Sequence, residues 1–189
     1  MAVLILGLIV VLGTHLLKVF APAWRLALVN RVGEGPYKGL HSAVSLIGLI
    51  LIVWGFGLAW QDPTFVYAPP TWGRHVAMAL MIPALILVFA SVFPAHWIGR
   101  YVSHRLLTAT MLWAVAHLLA NGDLAGVVLF AAFLVWALVD RFMQQPSGPS
   151  VGPAAPGRGD YAAIAAGLAL YAALVGGLHF WLFGVSPVG

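Results

Sequence analysis

The chain has no cysteine, and that absence alone removes disulfides, thiolate zinc sites, iron–sulfur clusters and cysteine nucleophiles. Any metal it binds must be held by histidine, carboxylate or carbonyl groups. Charge is scarce as well: Asp, Glu, Lys and Arg make up 7% of 189 residues, against roughly 25% in an ordinary soluble domain. The five acids, Glu34, Asp62, Asp123, Asp140 and Asp160, fall in loops or at helix ends, which leaves a paired-carboxylate hydrolase or an acidic proton relay little to work with. An H-E-x-x-H zinc motif, a nucleophile elbow and a phosphate loop are also missing. The net charge of +4 is not a nucleic-acid signal, because nine basic residues spread over short loops are what membrane topology alone produces.

What the chain has in quantity is apolar sequence: 62% hydrophobic residues and a mean hydropathy of +1.00. A bilayer core about 30 Å thick needs roughly 20 apolar residues per helix. Six such runs lie near Val3–Phe20, Leu40–Trp60, His75–Phe93, Ser103–Ala120, Leu124–Phe142 and Tyr161–Phe183. The sequence therefore predicts an all-α, polytopic membrane bundle of about six helices, with the lipid bilayer as its first partner. No Lys or Arg precedes the first run and no small-residue cleavage site follows it, so it reads as an anchor and not as a secretory signal. Lys18, Arg25, Arg31, Lys38, Arg100, Arg105, Arg141 and Arg158 fall on the first, third and fifth connections, and Arg74 alone falls on the other side. Basic loops stay in the cytoplasm, which predicts both termini outside.

Three regions follow: a five-helix core over 1–142, a Pro/Gly/Ser-rich cytoplasmic linker over 143–160, and a last transmembrane helix over 161–189. The second connection, with Pro63, Pro69, Pro70 and several aromatic residues, should lie along the outer interface and cap that face. Pro83 should kink the third helix.

Seven histidines are the main chemical signal: His15, His41, His75, His96, His104, His117 and His179. His96 lies in a predicted loop, and His41, His75 and His104 lie at helix starts within reach of interfacial water, where a structural role is the first reading. Ionisable residues deeper in a span are costly and tend to face the bundle interior, which separates His15 and His117 from the rest. Thr110, Trp113, His117 and Asn121 share one stripe of the fourth helix at i, i+3, i+4 and i+7 spacing. In the second helix His41, Ser45, Gly48, Ile52, Gly55 and Ala59 form a stripe of mostly small residues. Such a stripe lets helices approach closely or leaves room for a flat cofactor, and periodicity does not separate the two. A redox-stable metallocofactor built from these parts is most naturally a haem, with histidine nitrogens on the iron, apolar cover for the macrocycle and Arg74, Arg105 or Arg25 for its propionates.

The segments LGTHLLKVFAPAWR, RVGEGPYKGLHSAVSL, WGFGLAW, YAPPTWGRHVAMALMIPA and LWAVAHLLANGDLAGVVLFAAFLVWALVDR together resemble the NnrU family of bacterial membrane proteins, in order, over residues of about 4 to 142. NnrU proteins are associated with denitrification, and the family is related to 15-cis-zeta-carotene isomerase, a membrane enzyme that uses haem b. The resemblance implies haem b ligands at His15, which precedes Gly33-Glu34, and at His117, which closes a Trp-x-x-Ala-His pattern begun by Trp113. Ser103-His104-Arg105 stands where the isomerase has Arg-His-Pro, and Asp140-Arg141 matches its Gly-Asp-Arg. Ligands of one iron sit at similar depth, so His75, which also has a counterpart, is the substitute partner for His117 on the outer side. Asn121 and Arg74 complete the expected cofactor contacts; no catalytic residue is assigned.

The resemblance implies a bacterial inner-membrane protein that supports nitrite and nitric oxide reduction, as a redox or isomerase-like enzyme acting on a hydrophobic small molecule. Two other readings compete: a non-catalytic assembly factor for a respiratory nitrogen-oxide reductase, and a membrane methyltransferase of the isoprenylcysteine or phospholipid type. The last is weakened because His104 lacks a following Pro and no Glu pair follows the fifth helix.

Overall fold

The computed structural model describes residues 1–143 and 155–188. It is all-helical, 81% helix with no strand among the described residues. The helices are α1 (Ala2–Phe20), α2 (Pro22–Val32), α3 (Glu34–Ala59), α4 (Gly73–Val92), α5 (His96–Tyr101), α6 (Arg105–Ala120), α7 (Leu124–Met143), α8 (Arg158–Ala173) and α9 (His179–Phe183), with a π-turn over Leu174–Leu178 between the last two. Of the linker expected over 143–160, residues 144–154 lie outside the described residues, and α8 has begun by Arg158.

Four helical segments among the described residues are long and apolar enough to cross a membrane: Glu34–Ala59, Gly73–Val92, Leu124–Met143 and Arg158–Phe183. The α1–α2 pair makes a fifth if the bent pair counts as one span, and Arg105–Ala120 is a shorter apolar helix. The chain is thus a multi-pass membrane protein with four such spans, or up to five.

The chain turns by 86° between α1 and α2. Ala21 leaves helical geometry (φ −133°, ψ 53°) and Pro22 opens α2, because a proline ring disfavours helical geometry in the residue before it and removes the N–H that would continue the ladder. Hydropathy placed the start of the second span at Leu40, but α3 begins at Glu34, whose carboxylate meets Lys38 Nζ one turn on at 2.7 Å. Its first turns are polar and escape an apolar count. His96, expected in a loop, instead opens α5. Pro83 lies inside α4 without ending it.

The described residues group into two compact units. The first holds Met1–Ala68 and the segment from Gly122 through α7. In it α1 and α3 run antiparallel, and the small-residue stripe of α3 faces α1: a Cβ on Gly48 would come within 2.6 Å of Val11 and 2.9 Å of Val10, and one on Gly55 would strike the backbone of Leu4. The stripe therefore serves close helix approach and leaves no slot for a flat ring there. Leu4, Leu8, Ile52 and Ala125 form the buried centre, flanked by Phe56, Leu129 and Phe133.

The proline-rich second connection, expected to lie along an interface, is tied to this unit by its backbone. Leu124 N–H donates to Thr64 O (2.7 Å) and Val66 N–H to Gly122 O (2.8 Å), an isolated antiparallel bridge between Phe65 and Asp123. Asp123, 2% exposed, accepts the Gly126 N–H at 2.7 Å and so caps α7.

The second unit comprises Pro69–Asn121 and the described part of Gln145–Gly189. Its core is Leu87, Ala90, Ala95, Ile98, Ala109 and Ala163, drawn from α4, α5, α6 and α8. Asp160, 1% exposed, joins two helix starts: its Oδ1 accepts the Ile98 N–H and its Oδ2 the Gly157 N–H, each at 2.9 Å. The Trp97 N–H is a third donor to this carboxylate. Three of the five acids, Asp123, Asp140 and Asp160, are thus buried, where the sequence suggested only loops and helix ends.

Candidate functional site

The stripe Thr110, Trp113, His117 and Asn121 forms as the spacing predicts, on α6 in the second unit. His117 Nδ1 lies 2.8 Å from Trp113 O, and Asn121, the residue that ends the helix, donates its Nδ2–H to His117 O at 2.9 Å. The Trp113 and His117 rings lie 5.4 Å apart, tilted by 53°. Thr110 is turned back on its own helix, donating to Leu106 O. A carbonyl oxygen can only accept, so the bond to Trp113 O fixes His117 Nδ1 as the protonated nitrogen and leaves the lone pair on Nε2.

His15, on α1 in the first unit, has the same arrangement: Nδ1 lies 2.8 Å from Val11 O, again leaving Nε2 as the acceptor. An imidazole with its Nδ1–H tied to a carbonyl carries its lone pair on Nε2, the tautomer a metal ligand adopts. Both histidines therefore fit the donor chemistry of an axial haem ligand. They belong to different compact units, and His15 has a second histidine as a close neighbour.

That neighbour, in the first unit, is His41 of α3, whose ring centroid lies 5.0 Å from that of His15 at a tilt of 59°. Trp136 of α7 meets His15 edge-on at 5.9 Å. Tyr37 stacks on His41 at 6.2 Å, and Arg25 of α2 covers the Tyr37 ring at 5.3 Å. In the second unit, His179 Nδ1 lies 2.7 Å from Val185 O. His75 and Arg74 are exposed at the start of α4. Gly73 and Ala77, one turn apart, are the buried positions there, and Gly73 abuts the Leu119 carbonyl of α6. His75, two residues from each, is turned to the opposite side of its helix. His104 precedes α6 with its Nε2 buried and without a hydrogen-bond partner, while Arg105 donates to Ala95 O at 3.0 Å.

Sequence reasoning did not single out His41, Trp136 or Asp160. His41 was legible in principle: it shares a stripe with Gly48 and Gly55, and the face that packs glycines against α1 also aims His41 along it. Asp160, three residues after Gly157 and ahead of an apolar run, occupies the acidic position of a helix-start signature. Trp136 gave no signal, since the residues directly before and after it in α7 are apolar.

Among the described residues no three His, Asp or Glu side chains come together as a metal site. A polar pocket of about 210 Å³ in the first unit is lined by Asp62, Asp123, Thr64 and Leu58 among others, and contains none of the histidines. Apolar spans, buried helix-capping carboxylates and histidines with a fixed tautomer define a multi-pass helical membrane protein with imidazole donor groups. The chain belongs to the NnrU family, described as NnrU protein, whose match covers residues 3–187. That match runs past residue 142 through the last helix. No curated protein and no solved structure is significantly similar to the chain.

Proposed function

We propose that the protein is a haem b protein of the bacterial inner membrane that supports the reduction of nitrite and nitric oxide, with His117 as an axial ligand. One observation carries this: the Nδ1 bond to Trp113 O fixes the His117 ring with its lone pair on Nε2, inside an apolar helix of a chain that has no cysteine. Trp113 lies beside the ring and Asn121 bonds the His117 carbonyl, so both would stand next to a bound cofactor. Bound haem would supply redox or Lewis-acid chemistry on a hydrophobic small molecule, and the chain's own residues orient the ligand and exclude water. Of the two partners the sequence nominates for the other axial position, His15 and His75, the second is exposed on the side of α4 away from α6. Six passages with both termini outside are part of this reading, supported by the loop distribution of basic residues.

The test is a visible spectrum of detergent-purified protein made with ample haem supply, beside His15→Ala, His75→Ala and His117→Ala. A Soret band that is lost or shifted in His117→Ala is expected. A colourless parent that does not respond to added haem refutes the reading. If haem binds yet every variant supports nitrite-dependent growth as well as the parent does, the role is assembly of a reductase and not turnover.

A further inference from the structure

We infer that His15 and His41 form a two-imidazole site for one divalent transition-metal ion of the zinc, copper or nickel class, with the remaining positions open to water or an anion. Two histidine rings on one ion have a characteristic separation. With metal–nitrogen distances of about 2.0–2.1 Å, each ring centroid lies about 3.2 Å from the ion. Two rings at a tetrahedral angle then have centroids about 5.2 Å apart, and two on opposite sides of one ion about 6.4 Å apart. The observed 5.0 Å with a 59° tilt matches the first arrangement and is too short for the second. His15 already has its Nδ1–H committed to Val11 O at 2.8 Å, so its Nε2 is the nitrogen available to an ion. Imidazole is the donor that ions of this class favour, whereas magnesium and calcium take oxygen ligands.

The surroundings point to an exogenous ligand as well. Trp136 Nε1 and Ser45 Oγ are both buried without a hydrogen-bond partner. Trp136 meets His15 edge-on at 5.9 Å. Ser45 lies one turn from His41 on the stripe whose Gly48 touches Val10 and Val11 of α1. An indole N–H can only donate, and burying it unmatched costs roughly 1–3 kcal/mol. A metal-bound water, hydroxide or small anion is the acceptor it lacks. Two protein ligands, two open positions and second-layer donors make an accessible site and not a closed structural one.

This inference goes beyond the haem reading and meets it at one atom, because the Nε2 lone pair of His15 can serve a single metal. If His15 holds this ion, haem rests on His117 without it. The experiment is titration of the full-length, tag-free protein in detergent with Cu2+ followed by electron paramagnetic resonance, and with Zn2+ followed by calorimetry. One ion per chain is expected, with nitrogen hyperfine structure from two imidazoles. His15→Gln and His41→Gln, which keep polar side chains of similar reach, should each weaken binding at least about tenfold, and Trp136→Phe by about 10–100-fold. His117→Ala should leave it unchanged. A parent with no stoichiometric site, or a His41→Gln variant that binds Cu2+ as the parent does, overturns the inference, as does loss of the Soret band in His41→Gln. A colourless parent that still binds one Cu2+ through His15 and His41 sinks the haem reading and leaves this one standing.

Discussion

Replacing Asp160 by Ala tests whether a single buried carboxylate organises the second unit. Its oxygens accept the Gly157 and Ile98 N–H groups at 2.9 Å each, with the Trp97 N–H as a third donor. The residue is 1% exposed, so water does not replace it. The free N–H groups of the first turn of a helix need an acceptor, and here one side chain serves the starts of both α5 and α8. A hydrogen bond to a charged group contributes about 1.5–3 kcal/mol, and a buried donor left without a partner costs about 1–3 kcal/mol. These contributions overlap and part of the loss relaxes away, so Asp160→Ala should destabilise the unit by about 3–5 kcal/mol, the range for removing one member of a buried charged network. Asp160→Asn keeps one acceptor oxygen and should lose less than half of that. The assay is reversible unfolding in mixed detergent–lipid micelles followed by far-ultraviolet circular dichroism, with hydrogen exchange at Ile98 and Gly157 as the local readout. If Asp160→Ala unfolds within about 0.5 kcal/mol of the parent, the usual effect of a surface substitution, the double-capping argument is wrong.

Gly55→Leu should separate α1 from α3 and destabilise the first unit by at least about 1–3 kcal/mol, because a Cβ there strikes the Leu4 backbone. Gly57→Ala, with nothing near its Cβ, should be neutral or stabilising by about 0.5–1 kcal/mol through helix propensity; equal effects of the two, measured by thermal unfolding in detergent, would contradict the close-packing assignment. Asp123→Ala removes the cap of α7 from Gly126 N–H and should cost about 1–2 kcal/mol. It should also loosen the Phe65–Asp123 bridge, read as faster proteolysis within residues 60–68, and unchanged cleavage there would refute the coupling.

The helices were legible because a membrane span is a property of composition over about 20 residues. The four segments that qualify as spans all coincide with predicted runs, differing mainly where polar first turns such as those of α3 are helical without being apolar. The stripe on α6 was equally legible, since i, i+4 neighbours meet on any helix, and the bonds from His117 to Trp113 O and from Asn121 to His117 O are local. His41 beside His15, Trp136 against His15 and Asp160 beneath Ile98 were not legible, because each contact joins residues far apart in the chain. Ser45 and Gly48 announced that α3 had a small face, and only packing decided that α1 covers it.

By itself the sequence determined an all-helical membrane chain, metal chemistry without thiolates, and the α6 stripe that carries His117, since each follows from composition or from spacing within one helix. Tertiary structure alone decided that the α3 glycines seat α1, that three carboxylates are buried, and that His15 has His41 at 5.0 Å. Composition and periodicity are one-dimensional and survive in the sequence. Which face meets which partner depends on the shapes of both surfaces, and that is settled only when the helices pack.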